Sequence, residues 1–405
     1  MSFPAFSRRL LLQSAASAST LPLSAWAQSA SAPSWDQFEK TARGQTVYFN
    51  AWAGSERTND YLQWVADEVQ SAYGITLEHV KITDTADVVK RVRAEKAAGR
   101  GGNEGTVDLV WINGENFAAM KREGLLMPRW VDNLPNFQYV DTAGKPTTLN
   151  DFSVPTDGME SPWGMAQFTL FADGKRLPKP PQSMAELLAL ARSQPGRITY
   201  PRLPDFTGTT FIKQALIENV ADSAVLAKPP VEAAFAQQTA NLWRFLDALH
   251  PHLWRGGKQF PQSPSAIRQM MADGELLLAL TFNPNEPANE LAAKRLPAST
   301  IAWQFAKGTI GNTHFVAIPY NAKAKAAAQV VANFLLSAKA QARKADIAEW
   351  GDPTVLDLKR LPPAERALFP AKPLAGQVAQ AAPTLPEPHA GWVDPLEKEW
   401  TRRYG

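Results

Sequence analysis

The residues of this chain that could do chemistry lie in turns between predicted elements. The first such turn contains Trp52, Gly54, Ser55 and Glu56, between a β-rich run and an amphipathic segment. A helix that starts in a turn leaves backbone N–H groups free and has a partial positive charge at that end. We therefore predict that these four residues contact a ligand. The alternative is a structural cap with Trp52 in the core.

A second polar turn contains Asn113, Glu115 and Asn116, after the apolar run at 107–112. Polar side chains at the carboxyl end of a strand can fix the orientation of a ligand. We predict ligand contact for these three residues. The alternative is that Asn116 only caps the helix that follows.

A third turn, at 205–210, contains Asp205, Thr207, Gly208 and Thr209. Thr207 and Thr209 can cap a helix, and Gly208 lets a ligand approach the backbone. We predict that all four residues contact the ligand. A plain N-cap turn would explain the same residue types.

Further candidates are spread along the chain. Trp163 and Trp350 could stack on a flat or cationic ligand, although a single Trp more often serves packing. Asp352, together with Glu56 and Glu115, could supply negative charge, so an organic cation is the suggested ligand. Asn283 and Asn312 flank predicted return crossings and could act as hinge or ligand residues. Simple turn roles would also account for them.

Sequence signatures of enzymes are missing. The chain has no G-x-S-x-G, no H-E-x-x-H and no G-x-x-x-x-G-K motif. It has no cysteine, which excludes disulfides and thiolate metal sites. His250 and His252 are interpreted as surface polar residues, since no partner for a metal site lies nearby. We expect no catalytic residue, metal or cofactor, although a carboxylate pair of the glycosidase kind stays open.

The net charge and the N-terminal residues indicate which partners and which compartment the protein has. The 405 residues contain 42 Lys and Arg against 39 Asp and Glu, a net charge of +3, which gives no basic excess for nucleic acid. Residues 1–27 have the pattern of a cleavable signal peptide, with Arg8, Arg9 and a small-x-small site ending at Ala27. The stretch at 7–13 resembles a twin-arginine leader, and Sec export is the alternative. Either route predicts a periplasmic protein.

Strands and helices must alternate to position these turns. Runs at 45–50, 75–82 and 107–112 predict strands. Between them we predict a helix with Ser55 as its N-cap and Gly74 at its end, and a second helix capped by Thr83 or Asp84. A short helix is predicted at 116–123. This order predicts a parallel sheet that binds ligands beyond the carboxyl ends of its strands. Residues 155–173 and 309–319 are predicted to cross between two halves of the chain. In the second half we predict strands at 198–200 and 276–282, and helices at 242–249 and 266–273. A helix at 322–337 follows the return crossing.

Five blocks carry a resemblance to a known family, at 47–56, 108–117, 160–165, 308–315 and 350–354. In these blocks the chain resembles the YnjB-type family of ABC transporter solute-binding components, which have the type II periplasmic binding protein architecture. The resemblance implies an α/β fold with two lobes joined by crossing hinge strands, which close around a small solute. It assigns 1–27 to the signal peptide, 28–155 and about 310–350 to lobe 1, 156–309 to lobe 2, and 351–405 to a surface-wrapping tail.

The resemblance also implies partners. They are a small-molecule ligand and the membrane permease of an ABC importer. The resemblance does not identify the solute; the aromatic and acidic candidates suggest an organic cation such as thiamine or a polyamine. We expect a monomer and no nucleic acid. Two other functions stay open from the sequence: an enzyme on the same scaffold, or a ligand sensor that docks a membrane receptor.

Overall fold

The structure is a computed structural model that describes residues 34–369, 374–379 and 382–405. The predicted leader lies outside these residues. Trp35–Gly405 forms one compact unit. None of the helices in the described ranges is long and apolar enough to cross a membrane.

The strands and helices alternate along most of the chain. The strands are β1 (Thr46–Trp52), β2 (Thr76–Ile82), β3 (Leu109–Ile112), β4 (Asn150–Asp151), β5 (Val154–Pro155), β6 (Glu160–Gln167), β7 (Thr169–Asp173), β8 (Leu278–Thr281), β9 (Thr300–Trp303), β10 (Thr309–Ala317) and β11 (Thr384–Leu385). The helices are α1 (Trp35–Ala42), α2 (Glu56–Tyr73), α3 (Thr85–Ala97), α4 (Gly114–Arg122), α5 (Met184–Ser193), α6 (Phe206–Asn219), α7 (Glu232–Leu249), α8 (Pro264–Ala272), α9 (Glu286–Ala292), α10 (Lys325–Leu335), α11 (Ala338–Ala345), α12 (Pro363–Arg366) and α13 (Val393–Tyr404).

The larger sheet has the strand order β11-β10-β3-β1-β2, with β6 paired to β10. β1 is parallel to β2 and β3, and β10 is antiparallel to β3 and β6. Helices α1, α2, α10 and α11 bury apolar residues on one face, and α3 and α4 cover the other. This part is a three-layer α/β/α arrangement.

Helix caps explain where α2 begins and ends and where α3 begins. The Ser55 side chain accepts a hydrogen bond from a backbone N–H at the start of α2, and Gly74 ends the helix with φ of +66°. That left-handed conformation favours glycine. Asp84 caps α3 by accepting from the Ala86 N–H. These are the boundaries that the sequence predicted.

The smaller sheet has the order β8-β7-β9, and all its pairings are antiparallel. One face packs on α5, α6, α7 and α13, and the other packs on α8. The six-stranded and the three-stranded sheet therefore each have a core of their own, and β4 and β5 form a separate two-stranded sheet.

Two crossings connect the sheets. β6 belongs to the larger sheet and β7 to the smaller one, and only Phe168 separates them. β10 returns the chain and pairs with β6 from Gly311 to Ala317. The Gln167 N–H also donates to the carbonyl of Phe282, just after β8. The predicted crossing strands are therefore present.

Several elements differ from the predictions. Residues 198–200 are buried but belong to no strand, and α7 begins ten residues before the predicted 242. The helix predicted at 322–337 is α10, which is shorter at both ends, because Ser337 already caps the separate helix α11. The tail does more than wrap the surface. Trp392, Leu396 and Trp400 are fully buried in the core of the smaller sheet.

Candidate functional site

The turn between β1 and α2 places an aromatic ring in solvent. Trp52 is 43% exposed, so it does not pack in the core, and its ring meets that of Trp111 edge-on at 6.4 Å. Gly54 lies against this ring, because a Cβ there would come within 2.2 Å of it. Ser55 serves as the cap of α2, and Glu56 is exposed. Of the four predicted contacts, Trp52 and Glu56 are the ones that the geometry leaves free.

The turn after β3 begins α4 two residues earlier than predicted. Asn113 makes no capping bond; its Nδ2 donates to the carbonyl of Thr313 on β10 at 2.7 Å. Glu115 is exposed, and Asn116 is half-buried with Nδ2 3.4 Å from a Glu115 oxygen. Because α4 begins at Gly114, Asn116 lies inside the helix and is not its cap.

The turn before α6 is a cap. Asp205 accepts hydrogen bonds from the N–H groups of Thr207 at 2.9 Å and Gly208 at 3.1 Å. Burial raises the pKa of Asp205, and these bonds oppose the rise. A Cβ on Gly208 would come within 2.3 Å of the Pro201 carbonyl oxygen, so close backbone packing requires this glycine. Thr207 and Thr209 are buried, which favours the capping interpretation.

Sequence reasoning missed Phe206, the first residue of α6. Its side chain is 44% exposed, and its ring meets that of Phe282 at 5.0 Å. The sequence contained a signal for Phe206, because each of the two turns has an aromatic residue close to the helix cap. Phe206 follows the cap of α6, and Trp52 precedes the cap of α2.

The two asparagines near the crossings have different surroundings. Asn283 holds a turn: its Oδ1 accepts from the Asn285 N–H at 3.0 Å. Asn312 lies on β10 and is buried, with its Nδ2 3.5 Å from Glu387 Oε1. Its Oδ1 has no hydrogen-bond partner among the described residues.

Trp163 and Trp350 pack inside the molecule. Trp163 is fully buried and Trp350 is 7% exposed, with ring centroids 5.5 Å apart. The ring of Trp111 lies 5.0 Å from Trp163, and the ring of His314 is stacked on Trp350 at 6.3 Å. Neither of the two predicted tryptophans offers a free face to a ligand here, because neighbouring rings cover both.

Asp352 does not supply a free negative charge, contrary to the prediction. It forms a buried ion pair with Lys344, and its Oδ1 lies 3.3 Å from Nδ1 of His314. Burial lowers the pKa of Lys344 and of His314, and Asp352 opposes both shifts. A Cβ on Gly164 would come within 2.1 Å of the carboxylate, so glycine is required there. Lys344, Asp352, His314, Trp163 and Trp350 together form the Lys344 cluster.

A second buried ion pair joins Lys213 on α6 to Glu387, which precedes α13, with Nζ 2.6 Å from Oε2. The side chains are 1% and 2% exposed. Lys213 Nζ lies 4.2 Å from the ring centre of Phe152 and 5.7 Å from that of Phe206. We call Lys213, Glu387, Asn312, Phe152 and Phe206 the Lys213 cluster. No local pattern predicts it, because its members come from distant parts of the chain.

Three further carboxyl groups surround the Lys213 cluster. Burial raises the pKa of Glu387 and Glu397, and desolvation by neighbouring atoms raises that of Glu115, although its side chain reaches the surface. The charge of Lys213 opposes the rise at all three. Asp394 raises the pKa of Glu115 and of Glu397. Glu397 accepts a 2.6 Å hydrogen bond from Thr209 Oγ1, which explains part of the burial of that predicted residue. The surroundings of Lys213 are therefore acidic.

A series of contacts connects the predicted turns to the crossing strands. In order it joins Trp52, Trp111, His314, Asn312, Glu387, Lys213, Phe206, Phe282 and Gln167. The step from His314 to Asn312 runs along β10, and Gln167 pairs with β10 through β6. The N-terminal ends of α2 and α6 therefore adjoin the same crossing strands, and Asn113 ties α4 to them.

Other concave or titratable features lie elsewhere. A groove of about 640 Å³ between α5 and α7 shares no residue with the candidate set. His250 is buried rather than at the surface, because its Nε2 is hydrogen-bonded to the Tyr200 hydroxyl at 2.7 Å. The two buried carboxyls of Asp151 and Glu160 have raised pKa values through burial and are inaccessible. Over the ranges that the structure covers, no three His, Cys, Asp or Glu side chains converge on a metal site.

Comparison with known proteins identifies the class. A family model described as a bacterial extracellular solute-binding protein matches residues 64–357. The chain is also similar to Protein YnjB of Escherichia coli (strain K12), with 50% identity over 383 residues, which cover 95% of this chain and 97% of that one. The chain therefore belongs to the bacterial extracellular solute-binding proteins. This confirms the resemblance found in the five sequence blocks.

Solved structures agree on the fold. The spermidine/putrescine ABC transporter substrate-binding protein PotD of Streptococcus pneumoniae aligns with a TM-score of 0.59 and 14% identity, covering 89% of this chain and 100% of that one. The periplasmic binding protein AfuA of Actinobacillus pleuropneumoniae, with fructose-6-phosphate bound, aligns with a TM-score of 0.60 and 15% identity. The alignment covers 89% of this chain and 99% of that one. The predicted type II periplasmic binding protein fold is confirmed.

Proposed function

We propose that this protein captures a small solute in the periplasm, between its two α/β lobes, and delivers it to the permease of an ABC importer. The observation that carries the proposal is the pair of exposed rings, Trp52 and Phe206, at the N-terminal ends of α2 and α6. They come from different lobes and adjoin the same crossing strands. Two lobes that present aromatic faces beside a hinge can close on a ligand.

The proposed ligand is an organic cation such as thiamine or a polyamine. Exposed aromatic faces attract cations, and the residues around Lys213 carry surplus carboxyl groups. PotD bears the name of a spermidine/putrescine binder, and AfuA was solved with a sugar phosphate, so the fold accommodates either charge.

The proposed role involves no catalysis. Ligand binding would favour the closed form only through contacts that differ between open and closed states. Trp52 and Phe206 meet this requirement, because they lie on opposite lobes and would share a ligand only after closure.

A thermal-shift screen of refolded, ligand-free mature protein tests the proposal. A solute that binds only the native state raises the melting temperature. We expect a rise with thiamine or a polyamine, which Trp52→Ala and Phe206→Ala each reduce. Tyr48→Ala is the matched control, because Tyr48 is 45% exposed on β1 and lies outside the contact series.

Two outcomes would contradict the proposal. One is a folded protein that no solute stabilises across amines, sugars, sugar phosphates and amino acids. The other is a ligand that raises the melting temperature of Trp52→Ala and Phe206→Ala as much as that of the wild type, but not that of Tyr48→Ala.

A further inference from the structure

The C-terminal segment brings a carboxylate between the two lobes. Ser153 Oγ donates a 2.7 Å hydrogen bond to the carbonyl of Glu387, and the Ala390 N–H donates to the carbonyl of Phe152 at 3.1 Å. These bonds attach the segment to the chain between β4 and β5. The Glu387 side chain then reaches Lys213 on α6. The Lys213 cluster therefore contains parts of both lobes and of the tail.

The charges in this region do not balance. Glu397 accepts a hydrogen bond from Thr209, one turn before Lys213 on α6. Glu115 follows Gly114, which packs against the Phe152 ring that Lys213 contacts. Glu387 is already paired with Lys213. Carboxylates held in partly desolvated surroundings are unfavourable without a counter-charge. The arrangement is suited to one more positive group.

Asn312 gives independent evidence that a ligand group belongs here. It is 4% exposed, and its Nδ2 faces Glu387 at 3.5 Å. Its Oδ1 accepts no hydrogen bond from any residue that the structure describes. A buried acceptor without a donor is costly and uncommon in native proteins, so it calls for an explanation. A donor brought by a ligand would supply one.

The region is accessible from outside. Glu115 and Asp394 are exposed, at the ends of α4 and α13 that face each other. Glu397 lies one turn further along α13 and is partly buried. The acidic side chains at the edge of this region are therefore open to a solute.

We propose that Glu115, Glu397 and the Oδ1 of Asn312 form a subsite for an ammonium group of the solute, beside the ion pair of Lys213 and Glu387. This rests on the proposed solute-binding function. An ammonium group supplies several N–H donors, and the subsite offers oxygen acceptors only. Phe152 and Phe206 already hold the ammonium of Lys213 through their ring faces, so the surroundings suit this chemistry.

Calorimetric titration with putrescine, spermidine, thiamine, fructose 6-phosphate and Ca²⁺ tests the subsite. We expect an amine to bind, and Glu115→Gln to weaken it about tenfold by removing one charge-assisted bond. Glu397→Gln should act similarly and keeps an acceptor for Thr209. Glu115→Lys should weaken amine binding by about a hundredfold or more. Glu78→Gln, an exposed change on β2, is the matched control and should have no effect.

The outcomes separate this subsite from the function it rests on. If fructose 6-phosphate or Ca²⁺ binds and the amines do not, the ammonium subsite is wrong. It is also wrong if an amine or thiamine binds equally well to the wild type, Glu115→Gln and Glu397→Gln, while solute binding itself stands. If none of the solutes binds to folded protein, the proposed function fails together with the subsite. Because Glu115 is exposed, its variants test the subsite without loss of packing.

Discussion

The Lys344 cluster and the Lys213 cluster contain the same kind of ion pair in different surroundings. Each has a buried lysine paired with a buried carboxylate, and each lysine lies over aromatic rings at 4.2 to 6.0 Å. In the Lys344 cluster one carboxylate meets one ammonium and a histidine whose pKa is lowered. The Lys213 cluster has further carboxyls beside it and contains the Asn312 Oδ1, an acceptor with no hydrogen-bond partner among the described residues.

The difference shows that a buried ion pair does not by itself indicate function. The Lys344 cluster is balanced and enclosed by tryptophans, so it fixes the packing of α11 against the larger sheet. The Lys213 cluster has surplus negative charge and exposed carboxyls at its edge. We therefore assign structure to the first and ligand recognition to the second, and five predictions test the assignment.

The largest expected effect is on the Lys344 cluster. Lys344→Met should lower the free energy of unfolding by about 3–5 kcal/mol, because it leaves Asp352 buried without a counter-charge. Urea denaturation measures the change. Adding Asp352→Asn should recover part of the loss. A single variant within about 1 kcal/mol of the wild type would contradict the assignment.

His250 lies outside both clusters and makes its own contribution to the pH dependence of stability, which must be known before the clusters are compared. Burial lowers its pKa from 6.5 to about 4. The unfolded chain then binds more protons between these values, so stability falls by about 3 kcal/mol as the pH decreases from 6.5 to 4. In His250→Gln the free energy of unfolding, measured by urea denaturation, should depend less on pH in that range. An unchanged slope would show that His250 is not buried in its neutral form.

Lys213→Met should cost less than Lys344→Met, about 1–3 kcal/mol near neutral pH. The reason is that Glu387, whose pKa burial already raises, can take up a proton when its partner is lost. A carboxyl with a raised folded pKa stabilises below its unfolded pKa, and that stability is lost as pH rises. The deficit should therefore grow as the pH rises above the ordinary range of a glutamate carboxyl. The double variant with Glu387→Gln should remove this growth.

The two clusters should also differ in the sign of their pH dependence. The pKa of His314 is lowered, so the Lys344 cluster loses stability as pH falls below the ordinary histidine range. The pKa of Glu387 is raised, so the Lys213 cluster loses stability as pH rises. Urea midpoints of His314→Gln and Glu387→Gln across pH measure both slopes. If the two clusters changed stability with pH in the same direction, the proposed difference between them would be wrong.

The smallest effect on stability is expected for Glu115→Gln. Since Glu115 is exposed, the free energy of unfolding should change by no more than about 0.5 kcal/mol. Its effect should appear in solute affinity instead. A large change in the melting temperature without solute would assign Glu115 to the fold and not to recognition.

Local patterns predicted the elements that local forces determine. Ser55 and Gly74 bound α2, and Asp84 begins α3, because caps depend on residues within one turn. The prediction was weaker where burial depends on distant partners. His250 was interpreted as a surface residue, and Trp400 belongs to the tail predicted to wrap the surface, yet both are buried against Tyr200.

By itself the sequence determined the α/β class, the crossing strands and the edge of the sheet at which the turns lie, since periodicity and caps act over a few residues. Tertiary structure decided which of those turn residues remain free. It neutralised Asp352 with Lys344, covered Trp163 and Trp350, and exposed Trp52 and Phe206. It also assembled Lys213, Glu387 and Asn312. Charge balance and exposure depend on partners far away in the chain, and only the folded molecule brings them together.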